Sequence, residues 1–201
     1  MSPPRASKEE RRDQIMKAAT ACFSRKGYHL TTMDDIVAES GLSKGSLYWH
    51  YKNKKDLFLS IVDWYLEQVK SGFEAAILAA PTAADRLRLF AELSAQMFSS
   101  PELEPLASVL IDFYAATRHD AEVNEAMRNV LNPFIELVTG LIEAGIAAGE
   151  FKAVNARQTA IALMAAYDGM YMYRMMLEDE FDWAETGRQF METLLEGLSS
   201  E

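Results

Sequence analysis

The seven-residue run KGSLYWH, at positions 44–50, begins with two hydrogen-bond donors and a glycine between them. Lys44 and Ser46 carry donors of the kind that read the edges of bases in a DNA groove. Gly45 lies between them, and because it has no Cβ it lets the backbone come close to a partner. The start of this run therefore has the chemistry of a surface that contacts bases.

Aromatic and basic side chains follow in the same run and just after it. Tyr48 and His50 can donate hydrogen bonds to phosphate oxygens, and Trp49 can pack on a sugar or a thymine methyl group. Lys54 extends the basic edge toward a nucleic-acid backbone. These residues are too aromatic for an ordinary solvated surface and too polar for a core, so the pattern favours contact with DNA.

Local signals place the run on the second of two short helices that are joined by a tight turn. Thr32 and Asp35 form a capping box, in which a hydroxyl and a carboxylate satisfy free backbone N–H groups at the start of a helix. Gly41 can end that helix with a left-handed residue, and Ser43 can cap a second helix over residues 44 to about 51. The spacing predicts a helix, a turn and a second helix.

The second helix is expected to bury only one of its faces. Leu47 and Tyr51 are four residues apart and share a face, which we assign to the core. The polar and aromatic residues of the run then point outward, where a partner can reach them.

The segment GLSKGSLYWHYKNKKDLF, residues 41–58, resembles the DNA-binding signature of the tetracycline-repressor (TetR) family. The turn glycine, the capping serine, the leucine–tyrosine pair and the lysine that opens the next helix all fall in register. The resemblance implies a three-helix helix-turn-helix domain that binds double-stranded DNA. It implies base contacts from Lys44, Gly45, Ser46 and Trp49, and phosphate contacts from Thr32, Tyr48, His50 and Lys54.

The residues before this motif divide into an arm and a bracing helix. Residues 1–6 lack periodicity, so we expect a flexible arm. Ser7 and Glu10 form another capping box, and apolar residues follow one helical stripe up to Gly27, which is expected to end the helix. We assign residues 1–56 to the helix-turn-helix domain.

Charge is distributed unevenly along the chain, whose net charge is −10. Residues 1–56 have a net charge of +4, whereas residues 57–201 have a net charge of −14. A basic module beside an acidic body keeps affinity for phosphate local. Arg11 and Arg12 are assigned to ordinary solvated surface and not to the site.

The remainder of the chain, residues 57–201, is predicted to be entirely helical. A helix runs from Asp56 to about Leu78, and Pro81 follows it. Further helices are predicted at about 83–99, 103–117, 120–148, 155–177 and 183–198, with breaks at proline, glycine and acidic stretches. The fold class is therefore all-α, and the resemblance implies that this larger domain binds a small molecule and forms a dimer.

The last two predicted helices support a homodimer independently of the resemblance. The helix over 155–177 is apolar around most of its circumference, and the helix over 183–198 adds a second apolar stripe. One side can cover the protein's own core while the other joins a second copy across a two-fold axis. Two such copies would contact major grooves about 34–36 Å apart and would require a palindromic operator.

Methionine, aromatic and a few charged residues of the same region are candidates to line a ligand pocket. They are Met97, Phe98, Phe113, Tyr114, Phe134, Met164, Tyr167, Asp168, Tyr171, Arg174 and Met175. As a set they favour an apolar ligand, while Asp112 and Asp168 leave room for a cationic one. Core packing is the ordinary alternative for each of the aromatic residues and methionines.

Other classes of chemistry find little support in the sequence. The single cysteine, Cys22, lies on the apolar stripe of the first helix and excludes an intramolecular disulfide or a cysteine metal cluster. His119 lies beside Asp120 and Glu122, where a helix cap explains the acids better than a metal does. We expect no enzyme, no cofactor and no metal. With no apolar run long enough for a membrane and no leader, we expect a soluble cytoplasmic protein.

Two functions remain open on the sequence. The first is a repressor that binds a palindromic operator as a dimer and is released by a small apolar or cationic-amphipathic inducer. The second is a dimeric helical interaction protein whose DNA binding is controlled by a protein partner or has been lost. An all-α enzyme would require activity that survives replacement of His119, and nothing in the sequence indicates a substrate.

Overall fold

The computed structural model of the chain describes residues 7–99, 109–111, 113–114, 117, 119–177, 180 and 182–200. The predicted arm at residues 1–6, Asp112, and much of the helix predicted at 103–117 lie outside the described residues. So do the side chains of residues 65–73 and of Phe98. The all-α fold class is confirmed over the described ranges, in which the one β-type pairing is an isolated bridge between Phe151 and Ser199.

Eight helices have defined bounds in these ranges. They are α1 (Lys8–Leu30), α2 (Met33–Ser40), α3 (Lys44–His50), α4 (Lys54–Ala79), α5 (Ala83–Phe98), α6 (Ala121–Ala147), α7 (Ala156–Leu177) and α8 (Trp183–Leu198). Residues 109–111, 113, 114 and 117 are also helical. The predicted boundaries agree with these to within about two residues, apart from the end of α1.

The end of α1 departs from the prediction because the helix is interrupted and then resumes. Gly27 has φ 73° and ψ 167°, which breaks the helix as predicted. One further helical turn follows to Leu30 before the extended residue Thr31, whose φ is −77° and ψ 132°. The Thr31 side-chain hydroxyl, which has one O–H to donate, lies 2.8 Å from the carbonyl oxygen of Gly27 and 3.1 Å from that of Cys22. The buried Thr31 side chain thus places a hydrogen-bond donor at the break in α1.

The start of α4 lies two residues earlier than the predicted Asp56. The reason is Asn53, whose Oδ1 accepts the backbone N–H of Asp56 at 2.9 Å and so satisfies a donor of the first turn. Asn53 therefore supplies the cap.

The described residues form two compact units. The first comprises those within 1–67 and 101–126, and the second those within 68–100 and 127–201. Helix α4 contributes its first part to one unit and its remainder to the other, and α6 does the same. These units are defined by contacts, and the functional boundary after residue 56 stays a prediction.

Four aromatic rings form the centre of the first unit. Phe23 of α1 and Phe58 of α4 meet edge to face, with ring centroids 5.4 Å apart. The Phe113 ring packs against Phe58 at 4.3 Å and against Tyr28 at 4.6 Å. Each of the four side chains is less than a tenth exposed. Residues far beyond α3 in the sequence thus complete the core beneath the helix-turn-helix motif.

Ion pairs reinforce the same unit at its surface. The Lys55 ammonium donates to a carboxylate oxygen of Asp120 at 2.9 Å and to Glu122. Asp120 also accepts the backbone N–H of Glu122 at 3.0 Å, so it caps α6 as the sequence suggests. The two carboxylates raise the pKa of Lys55, and the Lys55 ammonium lowers the pKa of Asp120.

Helices α5, α7 and α8 pack together in the second unit. The Tyr167 hydroxyl of α7 donates to the Gly187 carbonyl of α8 at 2.9 Å. The Arg88 guanidinium of α5 donates two hydrogen bonds to Glu192 of α8, at 2.7 and 2.8 Å. These contacts fix α8 between its neighbours.

Helix α6 is long and apolar enough to cross a membrane by length and composition alone. The expectation that no segment has this property is therefore wrong. The buried residues of α6 recur at helical spacing along one face, which is the pattern of a helix that covers a core. They are Val123, Met127, Val130, Val138, Leu141 and Ile142. The core helices of soluble proteins pass the same test, so this property is weak support for a membrane span.

Candidate nucleic-acid interface and effector site

Caps fix the helix-turn-helix motif in the way that the sequence predicts. The Thr32 hydroxyl accepts the Asp35 N–H at 3.1 Å, and the Asp35 carboxylate accepts the Thr32 N–H at 2.9 Å. Gly41 is left-handed, with φ 66° and ψ 8°, and its N–H donates to the Val37 carbonyl. Ser43 accepts the Ser46 N–H at 3.2 Å and begins α3. Both ends of the turn are therefore set by local hydrogen bonds.

Helix α3 buries one face and presents the other to solvent. Leu47 is 0% exposed and Tyr51 5%, as their spacing predicts. Trp49 is 69% exposed and Tyr48 44%, which is high for large aromatic side chains. Lys44 and Gly45 are exposed as well, and Ser46 and His50 are half-buried. The structure thus brings the predicted base-contacting residues together on one outward face.

Lys44 already has an acidic neighbour on that face. Its ammonium lies 2.7 Å from a carboxylate oxygen of Asp34 in α2, and 5.9 Å from the ring centroid of Tyr48. Both partners of the ion pair are more than half exposed. Such exposed pairs contribute little to stability, so Lys44 can leave Asp34 for another partner at small cost.

Basic residues from the start of α1 lie beside the end of α3. The Lys8 ammonium is 5.3 Å from the Trp49 ring centroid. Burial and the positive charges of Lys8, Arg11 and Arg12 lower the pKa of His50. Sequence reasoning left Arg11 and Arg12 out of the site because arginines at such positions, although able to reach phosphates, are more often ordinary solvated surface. Only the fold brings them near α3, so no local pattern could have assigned them to this basic edge.

Lys54 and Thr32 are the remaining residues of the predicted DNA-contacting set. The Lys54 ammonium lies within hydrogen-bond distance of three backbone carbonyl oxygens near the end of α1. Thr32 is exposed at the start of α2, where its hydroxyl serves as the cap. Their roles as phosphate contacts stay predictions.

The predicted pocket residues are distributed over both units. Phe113 is in the aromatic core of the first unit, where Tyr114 is 44% exposed. Tyr167 and Tyr171 are buried in α7, and Met175 is 48% exposed near its end. Met97, Phe134, Met164 and Arg174 are half-buried.

Asp168 is the acidic member of the predicted pocket set. Its side chain is exposed at the surface, while protein atoms packed around the carboxyl partly desolvate it and raise its pKa. A carboxyl in such surroundings gains from a cationic partner, because the charged form is otherwise disfavoured.

A cavity of about 450 Å³ lies in the second unit between α5 and α8, and its volume is within the range of small-molecule sites. Among the predicted pocket residues whose side chains are described, Tyr167 is the one that borders it. The other lining residues are Arg88, Ala91, Glu92, Ala95, Gln96, Ser99, Trp183, Ala184, Gly187, Arg188, Met191 and Glu192. Sequence periodicity identifies the apolar face of each helix but not which helix lies opposite, so this grouping was missed.

The described residues contain no cluster of three or more histidine, cysteine, aspartate or glutamate side chains that could hold a metal ion. Cys22 is 1% exposed, and burial raises the pKa of its thiol.

Two family models match this chain. The model described as bacterial regulatory proteins, tetR family, matches residues 15–61, and the model described as BetI-type transcriptional repressor, C-terminal, matches residues 83–200. YfiR of Bacillus subtilis, an uncharacterized HTH-type transcriptional regulator, is 26% identical over 208 residues, which is 98% of each chain.

Solved structures share the fold at lower identity. A transcriptional regulator from Saccharomonospora viridis in complex with choline has a TM-score of 0.84 and 21% identity, covering 96% of this chain and all of that one. FadR from Bacillus subtilis in complex with stearoyl-CoA has a TM-score of 0.82 and 21% identity, covering 92% and 98%.

Proposed function

This chain belongs to the tetR family of bacterial regulatory proteins, and from that premise we propose that it is a DNA-binding transcriptional repressor that a small molecule releases. The observation that supports this most strongly is the outward face of α3, where Trp49 is 69% exposed while Leu47 on the opposite face is fully buried. A large exposed indole on a capped helix with basic neighbours is suited to a DNA groove.

We propose two kinds of contact for this face. Lys44, Gly45 and Ser46 lie in the first turn of α3, the part that a helix-turn-helix inserts toward base edges, and Trp49 lies one turn further on. Thr32, Tyr48 and His50 flank them and would contact phosphate oxygens. Lys8, Arg11 and Arg12 would add attraction to the same DNA backbone.

A homodimer is part of the proposal. The end of α7 exposes large apolar side chains, which a second copy related by a two-fold axis would cover. They are Met172, Tyr173, Met175, Met176 and Leu177. Such a dimer would bind a palindromic operator with half-sites about 34–36 Å apart.

We infer that the inducer is apolar or cationic and amphipathic, and that it binds in the domain of residues 57–201. Methionine and aromatic side chains of α7 provide adaptable apolar surface, and Asp168 provides an acid whose charge is incompletely solvated. The two structural neighbours were solved with choline and with stearoyl-CoA, a cation and a long acyl thioester. Both types of ligand therefore belong among the first to be tested.

The proposal includes a cytoplasmic location and no enzymatic activity. DNA is the intended partner, and the apolar positions of α6 follow the one-sided pattern of a core helix. Neither a membrane partner nor a catalytic step is needed for the proposed cycle of binding and release.

Selection of duplexes from a randomised pool, followed by affinity measurements on the selected DNA, tests the proposal. We expect a palindromic site whose affinity falls about 10³- to 10⁵-fold between 50 and 200 mM salt, the response for six to ten phosphate contacts. Recovery of no preferred sequence, with weak binding that salt leaves unchanged, would contradict it.

Choline and stearoyl-CoA serve as separate probes for release. A ligand that binds the DNA-free state better must lower operator affinity, because coupling between two sites is reciprocal. We expect one class of probe to raise the thermal midpoint of the protein and to weaken operator binding together. A probe that raises the midpoint but leaves operator affinity unchanged would argue against ligand-driven release.

A further inference from the structure

The end of α1 leaves several backbone carbonyl groups without helical partners. Gly27 breaks the helix, and Thr31 is already extended, so the carbonyls of the intervening turn have no N–H four residues later to accept from. Carbonyl groups of this kind accept from water or from a donor elsewhere in the protein.

Lys54, at the first position of α4, provides that donor. Its Nζ lies 2.6 Å from the carbonyl oxygen of Tyr28, 3.1 Å from that of His29 and 2.7 Å from that of Thr31. An ammonium has three N–H donors, so all three are used. The same ammonium is 4.4 Å from the centroid of the Tyr28 ring, within cation–π distance.

The electrostatic surroundings of Lys54 agree with this internal role. Burial lowers the pKa of Lys54, and among the described residues no carboxylate lies within ion-pair distance of its ammonium. Lys52, two residues earlier, is exposed, and it is its backbone N–H that donates a hydrogen bond, to the Asp56 carboxylate at 2.9 Å. The two lysines therefore differ in what their charges can reach.

Resting on the proposed DNA-binding function, we propose that Lys54 is a positioning residue that joins the α1–α2 connection to α4 and does not bind phosphate directly. A direct phosphate contact would require it to release one of three carbonyls. Thr31 immediately precedes Thr32, the cap of α2, so the Lys54 contact holds the chain at the point where the DNA-binding motif begins. Loss of the contact would let α2 and α3 shift as a pair relative to α4.

The test compares Lys54→Met, which keeps the aliphatic stem, with Lys52→Ala as the matched exposed lysine. Operator affinity is measured as a function of salt on the duplex selected by the parent protein. We expect Lys54→Met to weaken binding by the same factor at every salt concentration and to leave the slope unchanged. A variant that loses one phosphate contact instead reduces the slope by about 0.9.

Two measurements without DNA complete the test. We expect Lys54→Met to lower the thermal midpoint by roughly 4 to 8 °C and to speed amide exchange over residues 28–36, whereas Lys52→Ala leaves both unchanged. Lys54→Arg keeps the positive charge but has a planar donor group. We therefore expect this variant to reach neither the thermal midpoint nor the slow amide exchange of the parent.

A reduced salt slope in Lys54→Met, with the parent's thermal midpoint and exchange rates, would overturn the proposal and assign Lys54 to a phosphate. Full recovery of parental affinity and stability by Lys54→Arg would overturn it as well. If the parent protein binds no duplex, the proposed function fails, while the midpoint and exchange measurements still decide the role of Lys54.

Discussion

Trp49 shows how much one residue can be understood before and after the fold is known. Its outward direction follows from the four-residue spacing of Leu47 and Tyr51, which marks the opposite face of the helix. Its contact with Lys8 could not be predicted from the sequence, because the two residues are 41 positions apart. Only the packing of α1 brings the Lys8 ammonium to 5.3 Å from the centroid of the indole ring. Short-range periodicity determines which way a side chain points, while long-range packing determines which residues it contacts.

Trp49→Ala should weaken operator binding by about tenfold and leave the thermal midpoint unchanged, because the indole is exposed and, in the proposed complex, would pack against DNA. Trp64→Ala is the matched control, since Trp64 is 40% exposed on α4, outside α3. Fluorescence anisotropy with labelled operator measures the first effect and thermal unfolding the second. Equal losses of operator affinity in both variants would contradict the assignment of Trp49 to the DNA interface.

The Asp35 carboxyl should make stability depend on acid pH. The Lys26 ammonium, and then the N–H and hydroxyl of Thr32, lower the pKa of Asp35. A carboxyl with a lower pKa in the folded chain stabilises the fold above its unfolded pKa, about 3.9, and loses that contribution as the pH falls further. Asp35→Asn should therefore be less stable than the parent at pH 7.

Thermal unfolding of Asp35→Asn and the parent between about pH 5 and pH 2 provides the measurement. The gap between their midpoints should narrow as the pH falls, because the parent's carboxyl becomes neutral. A difference between the two midpoints that stays constant over this range would show that ionisation of the Asp35 carboxyl does not stabilise the fold.

At the scale of elements, the sequence predicts the caps well and the partners of each helix poorly. Thr32, Gly41 and Ser43 act through residues within four positions, so their roles can be read directly. Asn53 was overlooked as the cap of α4 because the apolar pattern begins only after it. The ion pairs of Lys55 with Asp120 and Glu122 join residues more than 60 positions apart, so no local sequence pattern predicts them.

Gly145 in α6 is required by a neighbour and not by its backbone conformation. A Cβ built there would overlap two carbon atoms of the Phe151 ring and would lie 2.9 Å from the Cβ of Ala83. Gly145→Ala should therefore destabilise the protein by about 1 to 3 kcal/mol through overpacking.

Gly140 provides the matched comparison on the same helix. A Cβ there would meet nothing within 4 Å, so Gly140→Ala should stabilise the fold by up to about 1 kcal/mol through helix propensity. Denaturant unfolding of the two variants measures both effects. Stabilisation of both variants would mean that Phe151 can move aside freely, and destabilisation of both would contradict the gain expected at Gly140.

At the scale of the whole molecule, the predicted ligand residues illustrate where sequence reasoning stops. Aromatic and methionine side chains were collected by type, yet Phe113 lies in the core beneath the helix-turn-helix motif and Tyr167 borders the cavity between α5 and α8. Helical periodicity says that each is on an apolar face. It does not say which of several buried spaces that face adjoins.

Met176→Glu should convert the proposed dimer to monomers. Met176 is 70% exposed at the end of α7, and a charge there would be buried without a partner in a two-fold interface. We expect sedimentation to give twice the 22.6 kDa chain mass for the parent and a single chain mass for the variant, with weaker operator binding. Leu78→Glu, at a residue 49% exposed on α4, should remain dimeric. A monomeric parent at micromolar concentration would refute the interface.

The ring of Phe113 against Tyr28 and Phe58 has a consequence for anyone who builds hybrid regulators from this chain. Grafting residues 1–56 onto a foreign sensor would omit both Phe58 and Phe113, and would leave the Phe23 and Tyr28 rings facing water. A transplantable cassette would have to include the stretch around residues 109–126 as well, although it comes much later in the chain. Exchange of parts between such proteins is therefore constrained by contacts that a linear cut divides.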